Sequence, residues 1–268
     1  MAIKERRTKI LLLLYLLSLG EFSPVIVDER VQKIFDLTFN QKTKGTISGM
    51  MKEGLIEKYS SVIASEAKQS QLKEIATLTS SPRNDNSYSL TKKGFYRLCL
   101  EFPFFRYLID QWDGKWRVLS YEIPEKKRDL RDKLRRKVAC WGLGPWHRSF
   151  WLTPHPIIED LKNLIAQKEE EKYVQAFEAD HVFGDRNILI EKVWAKAQLE
   201  KKYREMFKKW HDILALDGDK VDKLQKVVNE YITLLRLDPG LPKELLTTSW
   251  IGFEAYNIFK EIKGILLT

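Results

Sequence analysis

The ten residues Ile10–Leu19 read ILLLLYLLSL, and they limit what this chain can become more than any other segment does. A helix built from them is apolar around its whole circumference, so it has to be buried. It is also only about half the ~20 residues needed to cross a membrane. Lys4, Arg6, Arg7 and Lys9 precede the run, which superficially resembles a signal peptide. The run gives way to Gly20-Glu21-Phe22-Ser23-Pro24, with no small-x-small cleavage site. Residues 5–19 are therefore expected to form the buried first helix of a domain, in a cytoplasmic protein without a membrane partner.

Pro24 opens a second segment in which Val25, Val27, Val31, Ile34, Phe35 and Leu37 can supply a buried face. Asn40 is placed to cap a third helix that runs to about Glu53 and stops at Gly54. Within it, Ile47, Met50 and Met51 fall at i, i+3 and i+4 and are expected to point inward. Lys42, Thr43, Lys44, Thr46, Ser48 and Lys52 are left for the outer surface, which is basic and rich in hydroxyls. Strand-like runs follow at 54–59 and 88–94. Three helices followed by two strands is the winged helix-turn-helix order. In that reading Lys42, Lys44 and Lys52 meet phosphates, Thr43, Thr46 or Ser48 approach base edges, and Lys58 contacts DNA from the first wing strand. Residues 61–86 interrupt the hairpin with 26 residues rich in Ser, Thr and Asn. Their words "VIASEAKQS" and "SSPRNDN" resemble a translated mobile repeat. An insertion at a loop tip, disordered or loosely helical, is expected there.

An aromatic-rich linker helix at 101–114 ends at Trp112-Asp113-Gly114, and a second pattern begins at Lys115. KWRVLSYEI (115–123) reads as a strand. Pro124 then opens a helix to about Cys140, with Leu130, Leu134 and Val138 on its inner side. Its outer side is densely basic, with eight Lys or Arg against three acids between Glu125 and Ala139. Such a face could meet effector phosphates, DNA or another subunit, although a solvated face is commoner. A strand across Trp146–Leu152, a helix from Pro156 to about Ala166 and a strand at about 173–178 complete a small ferredoxin-like unit. Trp146, His147 and Arg148 are candidates to hold an effector's phosphate or adenine, while most of the tryptophans are expected in cores.

Asp185 can cap a helix that runs, with a break, through Lys209. A further helix from about Asp219 to Leu235 carries Val221, Leu224, Val227, Val228, Tyr231 and Leu235. The stiff turn Asp238-Pro239-Gly240-Leu241-Pro242 precedes a last helix at 250–267. The expected architecture is an α+β multidomain chain. It comprises a winged helix-turn-helix domain (1–100), a linker helix (101–114), a ferredoxin-like domain (115–182) and a helical C-terminal domain (183–268). The net charge of +9 favours polyanionic partners. Cys99 and Cys140 are the two cysteines, neither in a CxxC or Cys/His spacing. Four histidines form no HExxH, so neither metal nor catalytic residues are expected.

The segment "WDGKWRVLSYEIPEKKRDLRDKLRRKVACWGLGPWHRSFWLTPHP" resembles the central domain of the PaaX family, which is related in fold to the small CRISPR-associated adaptation nucleases. "LDPGLPKELLTTSWIGFEAYNIF" resembles that family's C-terminal signature, and "KEGLIEKYS … YSLTKKGFYRL" resembles the end of a recognition helix and a wing. The resemblance implies a dimeric repressor of a catabolic operon that binds double-stranded operator DNA. It also implies release by an acyl-CoA effector, phenylacetyl-CoA in the founding members, and no resident cofactor. Two other functions are weighed against it. The related nucleases place an Asp at the end of the first strand, where this chain has Glu122, so metal-dependent cleavage is one alternative. A non-catalytic adaptor that uses the same helices for protein contacts is the other.

Overall fold

Helix α1 (Ile3–Leu17) buries every residue from Ile10 to Leu17, as a helix without a polar side must. The computed structural model describes residues 3–59, 86–246 and 250–267. The chain divides into two compact units, residues 1–98, 209–231 and 256–268 in the first and 99–208 and 232–255 in the second. Helices and two antiparallel sheets together make an α+β chain of more than one unit.

In the first unit, β1 (Val25–Ile26) precedes α2 (Glu29–Ile34), whose first turn is capped by Asp28 accepting from the Val31 amide at 2.9 Å. Thus Pro24 leads into a short strand and then a helix, not one continuous segment. Helix α3 (Gln41–Lys52) has Asn40 as its cap, with Oδ1 accepting from the Thr43 amide at 3.1 Å. It stops at Gly54, whose φ of +69° is the left-handed conformation glycine adopts without strain. Asn40→Ala is expected to lower stability by about 1 kcal/mol, read as an earlier urea midpoint with unchanged slope.

Strands β2 (Ile56–Lys58) and β3 (Ser87–Leu90) pair antiparallel, with Ile56 opposite Leu90 and Lys58 opposite Tyr88. β1 pairs on the other side of β3, giving the order β1-β3-β2. Helix α4 (Lys92–Cys99) starts at Thr91, whose hydroxyl accepts from the Gly94 amide and lies 2.8 Å from the Gly54 carbonyl. A Cβ at Gly94 would collide with the Leu55 carbonyl, so glycine lets α4 lie directly against the chain entering β2. The inferred insertion at 61–86 lies outside the described residues except for Asn86, whose carbonyl accepts from the Val27 amide at 3.0 Å.

The second unit is built around β4 (Trp116–Tyr121), α6 (Arg128–Ala139), β5 (Gly144–His147), β6 (Phe150–Thr153), α7 (Ile158–Ile165) and β7 (Val174–Ala179). A short helix α5 (Arg106–Ile109) precedes them. The sheet order is β5-β6-β4-β7, antiparallel throughout. The stretch 146–152, expected as one strand, is instead the turn and arms of a hairpin, with His147 opposite Phe150. Alternation along β4 sends Leu119 and Tyr121 to one face and Trp116 to the other. The first face packs on Leu134 and Val138 of α6 and Leu161 of α7. The second packs on Ile190 and Val193 of α8 (Arg186–Trp194) and on Leu241 and Leu245.

Asp185 caps α8 as its sequence suggests, and Ala195 at φ +49° breaks the chain before α9 (Lys196–Ala215). Helices α10 (Lys220–Leu235) and α11 (Ile251–Leu267) follow. Leu224, Val227, Val228, Tyr231 and Leu235 are all buried, while Val221 is half-buried. The helices expected to form a separate C-terminal domain are divided between the two units, and each division falls inside a helix. In the first unit Trp210, Tyr231 and Phe259 pack together edge-on and tilted, with ring centroids 5.0 to 6.4 Å apart. The Lys263 ammonium, driven down to about 8 by burial, donates to the Leu16 and Ser18 carbonyls at 3.1 and 2.9 Å. It thereby satisfies carbonyls that the end of α1 leaves free.

In the second unit, the turn at Pro239 is held from three sides. Tyr203 donates to Asp238 Oδ2 at 2.6 Å, and the Gly240 amide donates to Oδ1 at 2.7 Å. His155 Nε2 lies 2.7 Å from the Pro239 carbonyl, while its ring stacks on Tyr107.

Candidate nucleic-acid interface and effector cleft

The face that α3 turns outward follows from where its inner stripe falls. Thr43 is 1% exposed, Ile47 4% and Met50 0%, whereas Met51 is 37% exposed. The buried stripe is therefore 43, 47, 50, one helical step from the expected 47, 50, 51. Thr43 cannot approach a base: its hydroxyl donates to the Thr38 carbonyl at 2.6 Å and fixes the start of the helix. At 100° per residue, the side opposite this stripe carries Gln41, Gly45, Ser48 and Lys52, with Lys42 and Lys44 on its two flanks. Lys42, Lys44, Ser48 and Lys52 are all exposed, as expected, and Lys58 is exposed on β2. Thr46 is half-buried, and its hydroxyl is engaged by the Lys42 carbonyl at 2.8 Å and by Arg6 at 3.3 Å.

Gln41 joins the outward set although no pattern in the sequence singled it out. Gly45 and Gly49 have open space where a side chain would stand. The middle of the helix is therefore low, and a partner's surface can come close to the backbone. At the far end of α3, the Glu53 carboxylate is bound by the two terminal guanidinium nitrogens of Arg7, and its main-chain carbonyl accepts from Lys93 at 2.8 Å. The Arg7 hydrogen bond holds the Glu53 carboxyl below the usual range. The carboxylate that follows α3 is thus already paired. This pairing joins residues 46 apart, so no local motif could have shown it.

Of the three residues expected around an effector, Trp146 and His147 stack on each other, whereas Arg148 lines a cleft that includes neither. Arg148 stands at the β5–β6 turn and lines a cleft with Tyr121, Glu122, Arg131, Arg135 and Ser149. Trp146, 41% exposed, stacks on His147, meets Phe150 edge-on and has the Lys192 ammonium of α8 over its ring at 5.9 Å. Trp141 and Trp151 are buried core, as most tryptophans were expected to be. Glu122 is exposed, and among the described residues no three His, Cys, Asp or Glu side chains gather as metal ligands. Among the described residues, no helix is long and apolar enough to cross a membrane.

Family profiles match the chain from residue 110 onward, which includes the cleft but not α3. The profile of the PaaX protein central Cas2-like domain matches residues 110–189, and that of the PaaX-like protein C-terminal domain matches residues 194–268. The chain belongs to the PaaX family. It is similar to the transcriptional repressor PaaX of Escherichia coli (strain K12), 27% identical over 194 residues, which is 65% of this chain and 60% of the repressor. The aligned region thus falls short of two thirds of that relative's length. An uncharacterized protein from Mycobacterium tuberculosis has a similar fold, with a TM-score of 0.51 at 16% identity over 96% of this chain and 94% of the other.

Proposed function

We propose that this chain is a DNA-binding transcriptional repressor that reads its operator with α3 and steadies it with the β2–β3 hairpin. The observation that carries the proposal is the outward face of α3. Lysines flank a low, glycine-containing ridge that carries Gln41 and Ser48, and the helix is directly followed by a hairpin bearing Lys58. The order α1, α2, α3, β2, β3 is that of a winged helix, whose third helix enters the major groove. Lys42, Lys44, Lys52 and Lys58 act on phosphates, while Gln41 and Ser48 reach base edges, glutamine being suited to adenine. The name of the Escherichia coli relative supports the reading.

The finer assignments are part of the same proposal. The second unit's β-α-β-β-α-β order, with strands arranged β5-β6-β4-β7, is ferredoxin-like. The protein acts in the cytoplasm as a homodimer on a two-fold symmetric site upstream of a catabolic operon. An acyl-CoA-type effector releases it by favouring a conformation that does not fit the operator.

The test is fluorescence anisotropy on duplexes from the promoter of its own operon at two salt concentrations. Lys42→Ala with Lys44→Ala should weaken binding at least about tenfold and reduce the slope of log affinity against log salt by about 2. Unchanged affinity and slope would remove α3 from the interface. Absence of sequence-preferring binding by the parent chain would remove the function.

A further inference from the structure

The cleft beside Arg148 has a composition that surface packing does not require. Three guanidiniums, from Arg131 and Arg135 on α6 and Arg148 on the β5–β6 turn, border a space of about 400 Å³. That volume lies within the range of small-ligand sites. Arg131 is already matched, since Nη1 lies 2.6 Å from Glu125 Oε2. Arg135 and Arg148 have no carboxylate partner among the described residues. Arg135 instead lies over the Trp151 ring at 6.0 Å, an arrangement that orients a guanidinium without neutralising it.

The floor of the cleft is tied by hydrogen bonds. The Tyr121 hydroxyl donates to the Arg148 carbonyl at 3.0 Å and accepts from Trp151 Nε1 at 3.1 Å, so the turn that presents Arg148 is fastened to the sheet. Burial raises the Tyr121 pKa, opposed by the Trp151 hydrogen bond and then by the charges of Arg135 and Arg131. Glu122 borders the same space and is the one carboxylate there not engaged by Arg131.

We infer that this cleft binds the phosphate end of a small phosphorylated ligand, with Arg135 and Arg148 as its principal anchors. Arg135, oriented over Trp151, and Arg148, carried by the fastened turn, can each offer paired N–H donors to phosphate oxygens, the geometry in which arginine outperforms lysine. Arg131, held by Glu125, shapes the wall. The Ser149 hydroxyl supplies a neutral donor, and Glu122 weakens binding of a bare dianion, so it favours ligands that bring a donor group of their own. The inference deepens the repressor reading by giving an effector's charged end a position, and it rests on that reading for its role.

The probe is inorganic pyrophosphate, titrated calorimetrically into the full chain with no DNA present. Saturable binding is expected, at least tenfold weaker for Arg135→Gln with Arg148→Gln. Arg128→Gln, on the same helix but outside the cleft, should leave it unchanged, and Glu122→Gln should tighten it severalfold. Arg148→Gln alone, an exposed turn position, guards against loss of fold and should weaken binding measurably. The same variants are then assayed on operator DNA, where full affinity in Arg135→Gln with Arg148→Gln is expected. Absence of pyrophosphate binding, or equal weakening by Arg128→Gln, would overturn the inference. Loss of operator affinity in the double variant would reassign these arginines to the DNA backbone and overturn it too. Failure of the α3 lysine variants to affect DNA leaves the pyrophosphate readout standing on its own.

Discussion

Gly240→Ala is expected to destabilise the second unit by about 3–5 kcal/mol, a large effect for a single added methyl. Two penalties act at one position. Gly240 has φ +65°, where an L side chain is strained by about 1–2 kcal/mol. Its would-be Cβ falls inside the envelope of the Pro103 carbonyl group and the Phe104 nitrogen, which are backbone atoms that cannot rotate aside. The neighbouring anchors, Tyr203 on Asp238 and His155 on the Pro239 carbonyl, resist any shift of the turn as a whole. The contrast is Gly45→Ala in the middle of α3, which meets nothing within 4 Å and should stabilise by up to about 1 kcal/mol. Urea denaturation of both variants checks the pair. A midpoint for Gly240→Ala equal to that of the parent would show that the turn yields to the added methyl.

The same turn should conceal two opposed pH dependences. Burial pushes the Asp238 carboxyl up to about 6, although the Tyr203 and Gly240 donors pull the other way. Unfolded, it titrates near 3.9. Between those values the folded chain holds a proton that the unfolded chain has lost, so stability falls as pH rises through this window. Burial holds the His155 imidazole down at about 3, partly against the Pro239 carbonyl, while its unfolded value is near 6.5. There the unfolded chain holds the extra proton, and stability rises with pH up to about 6.5. From about pH 4 to 6 the two slopes cancel, each being about 1.4 kcal/mol per pH unit. Asp238→Asn should leave a rise in stability with pH across that window, and His155→Gln a fall, each totalling about 3 kcal/mol. Denaturation midpoints at half-unit pH steps read both. Parallel profiles for the two variants would mean that neither group titrates as its burial implies.

Legibility in the sequence followed the range of the interactions. Asn40, Asp185 and Gly54 were readable because a cap or a left-handed stop is a contact within a few residues. The apolar run of α1 was readable because it allows no other arrangement. The inner stripe of α3 was misplaced by one step because threonine counts as polar by type. A hydrogen bond to the Thr38 carbonyl let Thr43 take the buried position and left Met51 outside. The β5–β6 turn was invisible because Trp146-His147-Arg148-Ser149-Phe150 contains no glycine, proline or asparagine to announce a reversal. That missed reversal is also why Arg148 was grouped with Trp146 and not with Arg131 and Arg135. The salt bridge between Arg7 and Glu53 joins helices α1 and α3, and such pairings exist only once the fold does.

The helices α9, α10 and α11 bear on inheritance as well as on folding. Because the boundary between units lies inside each of them, neither unit corresponds to one uninterrupted stretch of the gene. A recombination event that carried only the first hundred codons into another reading frame would deliver α1 and α3 without Trp210, Tyr231, Phe259 and the Lys263 ammonium that complete their unit. Such a fragment would expose part of a core. The exposed residues of α3 can change by substitution without dividing either unit, whereas an exchange of the first hundred codons divides the first.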